Sequence, residues 1–161
     1  MTEYPTPGQG RRAAAVTTRV MAANRAKNTK VELALRRELH ARGIRFRLHA
    51  REVPGRPDIV IRKYRLAVFV DGDFWHGNAW RRRGLKRLED DFNVNREFWV
   101  AKIRRNMERD QEVTQQLKAS GWIVFRFWES SLRQDISGAA DLVEGAIKEA
   151  QRPQQRTDRR L

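Results

Sequence analysis

The chain has 161 residues, which is enough for one domain with a single core and too few for two. Its 34 Lys and Arg outnumber its 20 Asp and Glu, so the formal net charge is +14 and the pI is near 11.3. Such a charge indicates a polyanionic partner, although a basic but inert domain stays open as an alternative. The absence of cysteine excludes disulfides and thiolate metal sites, and no apolar run approaches the roughly 18 residues of a membrane span.

The ends of the chain differ in composition from its middle. Residues 1–27 contain few large apolar side chains and are rich in Ala, Thr and Arg, so we expect a basic flexible arm. Residues 28–150 form the expected folded domain, and residues 151–161 a basic disordered tail. Because the N-terminus has no apolar core typical of a signal peptide, we expect a cytoplasmic protein with no membrane contact.

Periodicity and turn signals predict helices and strands in a mixed order. A capping box formed by Thr29 and Glu32 predicts the start of the first helix, and Gly43 its end. A final helix begins near Ser137, with Leu142, Val143, Ala146 and Ile147 on its inner face. The other predicted elements are strands at 44–48, 59–61 and 66–70, a long polar loop at 77–95, a helix at 96–120 and a strand at 122–128. This order predicts an α/β fold, a mixed sheet flanked by helices.

The hairpin formed by the strands at 59–61 and 66–70 carries the first candidate site. If Ile61 pairs with Val68, Asp58 lies opposite Asp71, and two carboxylates at that distance repel unless a cation lies between them. Oxygen ligands favour Mg²⁺ over zinc, and His76 follows closely enough to accept a proton from an attacking water. Each residue also has a structural explanation: Asp58 and Asp71 as turn residues, His76 as a packed histidine, and Glu32 as part of the capping box.

The helix at 96–120 carries a second candidate surface. Lys102, Asn106 and Arg109 recur at i, i+4 and i+7, so they share one face, which suits nucleic-acid binding but is also typical of a solvated charged face. An apolar face for the core is predicted from Phe98, Trp99, Ile103 and Met107.

These motifs together resemble a known family. An acid after proline at the start of one strand, followed by an acid on the next, is similar to the PD-(D/E)XK nuclease superfamily, except that Asp73 stands where a lysine is usual. The whole pattern resembles the very short patch repair (Vsr) endonucleases, with a restriction-endonuclease-like fold, over about residues 19–130. The matching residues are Met21, Glu32, Gly55-Arg56-Pro57-Asp58, Val70-Asp71-Gly72, Phe74-Trp75-His76, Phe98-Trp99, Lys102, Asn106, Arg109, Asp110, Gly121-Trp122 and Trp128-Glu129.

The resemblance implies a Mg²⁺-dependent endonuclease, with Mn²⁺ as a substitute, that nicks one strand of duplex DNA beside a T·G mismatch. Asp58 and the main-chain carbonyl of Val70 would hold the metal, and His76 would activate the water. Glu32 would contact metal-bound water, and Asp71 occupies a position that is histidine in some members and acidic in others. On a weaker inference, Asp110 would orient His76.

The resemblance also implies how DNA is bound. Met21, Phe74 and Trp75 would wedge into the base stack beside the cleavage site, although a packed loop is the alternative for the two aromatic residues. Lys102 and Asn106 would lie near the mismatch. Double-stranded DNA is the expected partner of a monomer, with repair or defence proteins as further partners.

The chain departs from the family at a structural zinc site. Where family members have cysteines and histidines, this sequence has Asp73, Asn78, Trp80 and Ser130. No structural zinc is therefore expected. Two other functions stay open: a nicking endonuclease of a restriction or phage-defence system, and a catalytically inactive DNA-binding module.

Overall fold

The structure is a computed structural model that describes residues 28–152. The predictions for the arm at 1–27, including Met21, and for residues 153–161 lie outside the described residues. The chain divides into two units, residues 1–30 and 31–161. The elements below belong to the second unit, apart from the first residue of helix α1.

Helix α1 spans Lys30–Ala41. Val31, Leu35 and Leu39 are buried on one side of it, because a spacing of four residues returns to nearly the same face of a helix. The predicted helix is confirmed. Gly43 follows its end with a φ of 74°, a conformation that glycine adopts without strain.

Four strands form one mixed sheet in the order β1-β2-β3-β4. β2 pairs antiparallel with both β1 and β3, while β3 and β4 are parallel. The strands are β1 Arg47–Leu48, β2 Ile59–Ile61, β3 Leu66–Asp71 and β4 Ile123–Trp128. This mixed sheet flanked by helices confirms the predicted α/β class. β1 is shorter than the predicted strand at 44–48, since Ile44 and Phe46 pack on the core without joining the ladder.

The pairing of β2 with β3 differs from the predicted pairing by two residues. Ile61 pairs with Leu66, not with Val68. Continued by one residue, this register puts Asp58 opposite Phe69. The predicted opposition of Asp58 and Asp71 is therefore wrong.

The turn between these strands explains the difference. A shift of two residues leaves every side chain on the same face, so the apolar pattern fits both registers equally and only the turn can decide. Here a 3₁₀ turn at Arg62–Tyr64 is followed by Arg65 in the left-handed conformation, with a φ of 46°. This tight connection pairs the first residue after it, Leu66, with the last residue before it, Ile61.

Residues 77–95, predicted as a polar loop, contain regular structure. Helix α2 spans Ala79–Arg82, and a 3₁₀ turn spans Leu88–Asp91. Buried Leu88 and Phe92 pack with residues of the long helix that follows. The prediction was wrong because these apolar residues have no helical or strand period, so the pattern did not show that they share a core.

Helix α3 spans Arg96–Ala119, which confirms the predicted helix to within one residue. Its predicted apolar face was wrong at one position, since the Phe98 side chain is 56% exposed. The predicted Ile103 is buried, and so is Val100, which the prediction did not include. Phe98 and Val100 are two residues apart, and this spacing puts them about 200° apart around the helix axis.

Two helices follow β4. The sequence did not predict α4, Glu129–Gln134, which is too short to show a period. Helix α5 spans Ile136–Gln151 and includes Gln151, which was assigned to the tail. The Asp135 side chain accepts a hydrogen bond from the Gly138 amide at 2.7 Å and so caps this helix. Leu142, predicted on the inner face, is 56% exposed, so that assignment was wrong.

Helices cover both faces of the sheet. Residues of α1, α4 and α5 pack against Ile59, Leu66 and Val68 on one face. On the other face, Leu117 of α3 packs with Val60 and Ala67. This alternation along β2 and β3 follows from the two-residue period of a strand. Among the described residues, no helix combines the length and apolar character that crossing a membrane requires.

Candidate active site

A cleft opens where β2 begins and β3 ends, because antiparallel neighbours bring these two ends to the same edge of the sheet. A cavity of about 230 Å³ lies there against α3. The residues lining it include Asp58, Val70, Asp71, His76, Arg109, Asp110 and Arg126. A second cavity, of about 500 Å³, is lined in part by Asp71, His76, Asp110 and Arg126. The structure thus gathers most of the predicted catalytic residues in one place.

Asp58 stands at the entrance to β2 after a tight turn. Gly55 and Arg56 both have positive φ, 75° and 53°, and Pro57 follows. The Oδ2 atom of Asp58 accepts a hydrogen bond from the Val70 amide at 2.7 Å. The turn and this hydrogen bond together direct the carboxylate into the cleft.

The electrostatic surroundings of Asp58 disfavour its ionised form. Burial raises its pKa to about 6, and the negative charges of Glu32 and Asp71 act in the same direction. The Val70 amide and the guanidinium of Arg36 oppose this shift. Burial is therefore the main reason why the ionised form is disfavoured, and a cation bound in the cleft would favour that form.

His76 and Asp110 form a close pair. The His76 Nδ1 atom lies 2.5 Å from Asp110 Oδ2 and 3.7 Å from Asp71 Oδ1. Burial disfavours the charged imidazole, but the hydrogen bond to Asp110 and the charges of Asp71 and Asp110 outweigh it, so the pKa of His76 is raised. With the Nδ1 proton donated to Asp110, Nε2 is the basic nitrogen.

Arg126 of β4 joins the two acids of this group. Its guanidinium binds Asp71 through Nε at 2.7 Å and Nη2 at 2.9 Å, and Nη2 also lies 2.8 Å from Asp110 Oδ1. The guanidinium also lies over the Phe69 ring, 4.4 Å from its centroid. The sequence analysis missed Arg126, although a single charge within the apolar strand Ile123–Trp128 was a usable signal for a buried ion pair.

Glu32 lies in a second charged group. Its carboxylate is 3.0 Å from Arg36 Nη2, and both side chains are nearly buried. Arg36 also contacts His49, whose Nδ1 is 3.7 Å from Asp58 Oδ1. Arg36 and His49 were also missed. The i, i+4 spacing of Glu32 and Arg36 was a signal for that pair, whereas nothing local to the sequence indicated His49.

Among the described residues, one set of side chains has the ligand atoms of a metal site within 4.8 Å of one another: Asp71, His76 and Asp110. This set does not include Asp58. Arg126 already binds both acids of the set, and the Nδ1 atom of His76 is bonded to Asp110. A cation held by all three side chains would have to break these contacts.

The predicted DNA-binding residues lie along α3 and the segment after β3. Asn106 donates a hydrogen bond to the Trp75 carbonyl at 3.0 Å, and Lys102 lies 5.2 Å from the centroid of the Trp75 ring. Trp75 is only 9% exposed, and Phe74 packs beside it. Arg109 is exposed at the cleft. In this state the aromatic pair is packed within the protein.

Three of the positions at which the sequence lacks the expected zinc ligands are joined by hydrogen bonds. Asp73 accepts from Asn78 Nδ2 at 2.7 Å, from Ser130 Oγ at 2.6 Å and from the Ser130 amide at 3.0 Å. The Asp73 carboxylate therefore connects the segment after β3 to the start of α4 through hydrogen bonds.

Comparison with known proteins agrees with this geometry. The profile of the family described as DNA mismatch endonuclease Vsr matches residues 13–82. The type II nicking enzyme V.NmeDIP of Neisseria meningitidis serogroup C is 44% identical over 131 residues, 81% of this chain and 85% of the relative. The type II nicking enzyme V.HpaIIP of Haemophilus parainfluenzae is 42% identical over 80% of this chain and 87% of the relative. The DNA mismatch endonuclease Vsr of Escherichia coli strain K12 is 33% identical over 84% of this chain and 80% of the relative.

The fold and the site, taken with these relatives, define a metal-dependent DNA endonuclease with a restriction-endonuclease-like fold. The chain belongs to the Vsr family. The resemblance inferred from the sequence is confirmed.

Proposed function

We propose that this endonuclease nicks one strand of duplex DNA beside a T·G mismatch, with Mg²⁺ held at Asp58 and with His76 as the general base. The observation that carries the proposal is the shared cleft, in which a carboxylate with a raised pKa and a histidine paired with a carboxylate line the same cavity. The name of the E. coli relative supports a mismatch as the substrate, and the names of the others support single-strand nicking.

The donors around Asp58 suit Mg²⁺ because they are hard oxygen atoms with excess negative charge. Asp58 and the main-chain carbonyl of Val70 would hold the ion. The Val70 amide already faces Asp58, and the amide and carbonyl of one strand residue point to the same side of the strand. When bound, the ion supplies stabilisation of the charge that develops on the phosphate and the leaving oxygen, and Mn²⁺ can replace it. Glu32, nearby, would accept a hydrogen bond from water.

The group formed by His76, Asp110, Asp71 and Arg126 takes up the proton of the attacking water. His76 accepts the proton of the attacking water on Nε2, while Asp110 holds the ring through Nδ1 and stabilises the imidazolium that forms. Arg126 binds both Asp71 and Asp110 and fixes their carboxylates in position. Asp71 adds negative charge beside the ring, which favours the protonated product of this transfer.

DNA binding uses the surface beside the cleft. Lys102, Asn106 and Arg109 contact the duplex around the mismatch, and Phe74 and Trp75 unstack a base step there. Among the described residues, the buried indole N–H of Trp75 has no hydrogen-bond partner. An unsatisfied buried donor costs about 1–3 kcal/mol, so moving out of the packed state relieves a cost for Trp75. The enzyme acts as a monomer.

A second function has specific support. Relatives from Neisseria and Haemophilus are named type II nicking enzymes, which favours a role beside a restriction system, with its own sequence preference. The inactive DNA-binding module is disfavoured, because binding alone does not require an acid with a raised pKa beside a histidine–carboxylate pair.

The test is nicking of a panel of matched and mismatched duplexes by Asp58→Ala and His76→Ala variants. We expect Asp58→Ala to lose nicking while keeping DNA affinity, because only the metal ligand is removed. His76→Ala should lose about 10²–10⁴-fold in turnover and recover partly at high pH, where hydroxide replaces the general base. Glu149→Gln, an exposed acid on α5, is the matched control and should behave as the wild type.

Two results would contradict the proposal. Wild-type nicking by Asp58→Ala in Mg²⁺ would remove the metal assignment, and an unchanged pH–rate profile for His76→Ala would remove the general base. Equal cleavage of matched and mismatched duplexes by the wild type would favour the restriction-associated function.

A further inference from the structure

His49 lies directly across the sheet edge from Asp58. The backbone amide of His49 donates to the Asp58 carbonyl at 3.3 Å, which continues the β1–β2 pairing by one residue beyond Leu48 and Ile59. The side chain of His49 lies beside the carboxylate assigned to the metal, with Nδ1 3.7 Å from Asp58 Oδ1.

The contacts of the His49 ring identify its tautomer. Its Nε2 atom lies 3.2 Å from Arg36 Nη2, and a guanidinium nitrogen can only donate. Nε2 must therefore accept, so the proton of the ring is on Nδ1. That nitrogen lies 3.7 Å from Asp58 Oδ1. Since Arg36 also binds Glu32 at 3.0 Å, a chain of polar contacts runs from α1 to the carboxylate.

The backbone of His49 indicates that its side chain matters. Its φ is 46°, in the left-handed region, where glycine fits without strain and other residues are less common. A turn alone would be met with less strain by glycine. Non-glycine residues in this region cluster at functional sites, where the surrounding structure holds them.

We propose that His49 is a positioning residue for Asp58. Its Nδ1–H is directed at Oδ1, while the Val70 amide binds Oδ2 at 2.7 Å. The 3.7 Å separation is longer than a hydrogen bond, and a side-chain movement of under about 1 Å closes it. Held at both oxygens, the carboxylate keeps one orientation, with its other lone pairs facing the cleft. This inference rests on the proposed metal-binding role of Asp58.

Three substitutions of His49 distinguish the effect of its N–H donor from the effects of side-chain size and of backbone strain. His49→Gly removes the ring and suits the positive φ. His49→Asn keeps an N–H donor on the γ carbon, where Nδ1 is attached, and asparagine tolerates this conformation. His49→Gln moves the amide one carbon further out, to the level of Nε2. His40→Ala removes an exposed imidazole that packs on Phe46 and is the matched control.

The experiment measures Mn²⁺ binding by electron paramagnetic resonance without DNA, and separately kcat, KM for DNA and the Mg²⁺ concentration that gives half-maximal nicking. Loss of a residue that orients a metal ligand weakens metal affinity about 10–100-fold, so His49→Gly should bind Mn²⁺ at least about tenfold more weakly. It should also need correspondingly more Mg²⁺, with KM for DNA unchanged. His49→Asn should recover most of the loss, while His49→Gln should not.

Wild-type Mn²⁺ binding by His49→Gly would overturn the inference. Equal Mn²⁺ affinity of His49→Asn and His49→Gln would overturn the inference as well. This comparison still tests the inference if the glycine variant does not fold. Asp58→Ala separates the two claims. If Asp58→Ala loses Mn²⁺ binding and His49→Gly does not, only the inference fails. If Asp58→Ala binds Mn²⁺ as the wild type does, the proposed metal site fails as well.

Discussion

Arg126 places one guanidinium between two carboxylates of the active site. Without it, Asp71 and Asp110 would both lie beside His76 with no cation to offset them, and partly buried like charges repel strongly. The imidazole alone could neutralise only one of them. Arg126 therefore allows an acidic pair to lie next to His76, the proposed general base.

Asp73 gives a prediction at the same scale. Burial alone would raise its pKa, but the hydrogen bonds from Ser130 and Asn78 outweigh burial and hold the pKa below its ordinary value. Because the folded-state pKa is lower than the unfolded one, ionised Asp73 stabilises the fold above a pH of about 4, and this contribution disappears as the pH falls through the folded-state value. Asp73→Asn should therefore lower the free energy of unfolding by about 1–3 kcal/mol at neutral pH.

Urea denaturation of wild type and Asp73→Asn at pH 7 and pH 3 tests this, and the difference between the two proteins should shrink at pH 3. Asp90→Asn, which removes an acid paired with the exposed Arg87, is the control. Equal stability at pH 7 would refute the prediction. Elemental analysis that found one zinc per chain would show that a metal, and not these hydrogen bonds alone, holds the segment.

At the scale of elements, α3 joins the predicted DNA-binding residues to the predicted catalytic histidine. One end of the helix contacts Trp75 through Lys102 and Asn106, and the next turn supplies Asp110 to His76. The helix also packs closely against the turn before Asp58. A Cβ atom on Gly55 would lie only 2.4 Å from Val113 Cγ1, so a larger residue does not fit there. A movement of Phe74 and Trp75 would therefore be transmitted through this helix to His76, the proposed general base.

Phe74 and Trp75 are the predicted wedge residues, and they act as a pair. Replacing Phe74 and Trp75 together with alanine should erase the preference for a mismatched duplex, because unstacking costs least where pairing is already weak. The dependence of affinity on salt should change little, since no charge is removed. Binding titrations on paired and mismatched duplexes at several salt concentrations measure both effects.

Phe127→Ala is the control for reduced packing, because Phe127 contacts the core on the opposite face of the sheet. It should lower stability and keep the mismatch preference. A double variant that still prefers the mismatch would show that the two aromatic residues are only packed loop residues.

At the scale of the whole molecule, the net charge of +14 favours binding to the phosphates of DNA. Phosphate contacts supply affinity that does not depend on sequence, and each contributes about −0.9 to the slope of log K against log salt on duplex DNA. Residues 1–27 contain five Lys and Arg and one Glu, so they hold part of this surplus. Selectivity must then come from the cleft and its surroundings.

Deleting residues 1–27 should weaken binding to matched and mismatched duplexes alike. It should also flatten the salt dependence by about 0.9 for each phosphate that these residues neutralise in the full chain. Salt titrations of both proteins on the same two duplexes measure this. Met21→Ala in the full chain separates any wedge contribution of Met21 from the effect of charge. An unchanged slope after the deletion would mean that this segment binds no phosphates.

The sequence by itself determined the features that depend on local patterns. Periodicity predicted α1, α3 and the α/β class, because apolar spacing reports which side of an element is buried. The pairing of His76 with Asp110, 34 positions away, does not follow from a local pattern and was only a weaker inference, and the structure shows it at 2.5 Å. The family followed from motifs that are contiguous in the chain. The metal and DNA roles of the individual residues stay predictions.

Only the tertiary structure decided which distant residues meet. The register of β2 and β3 depended on the geometry of one turn, because the two-residue period of a strand cannot distinguish pairings that differ by two. Arg126 reaches Asp71 from 55 positions away, and the His49 ring lies between Arg36 and Asp58. Contacts of this kind leave no period in the sequence, since they are fixed only when the sheet and helices pack around the cleft.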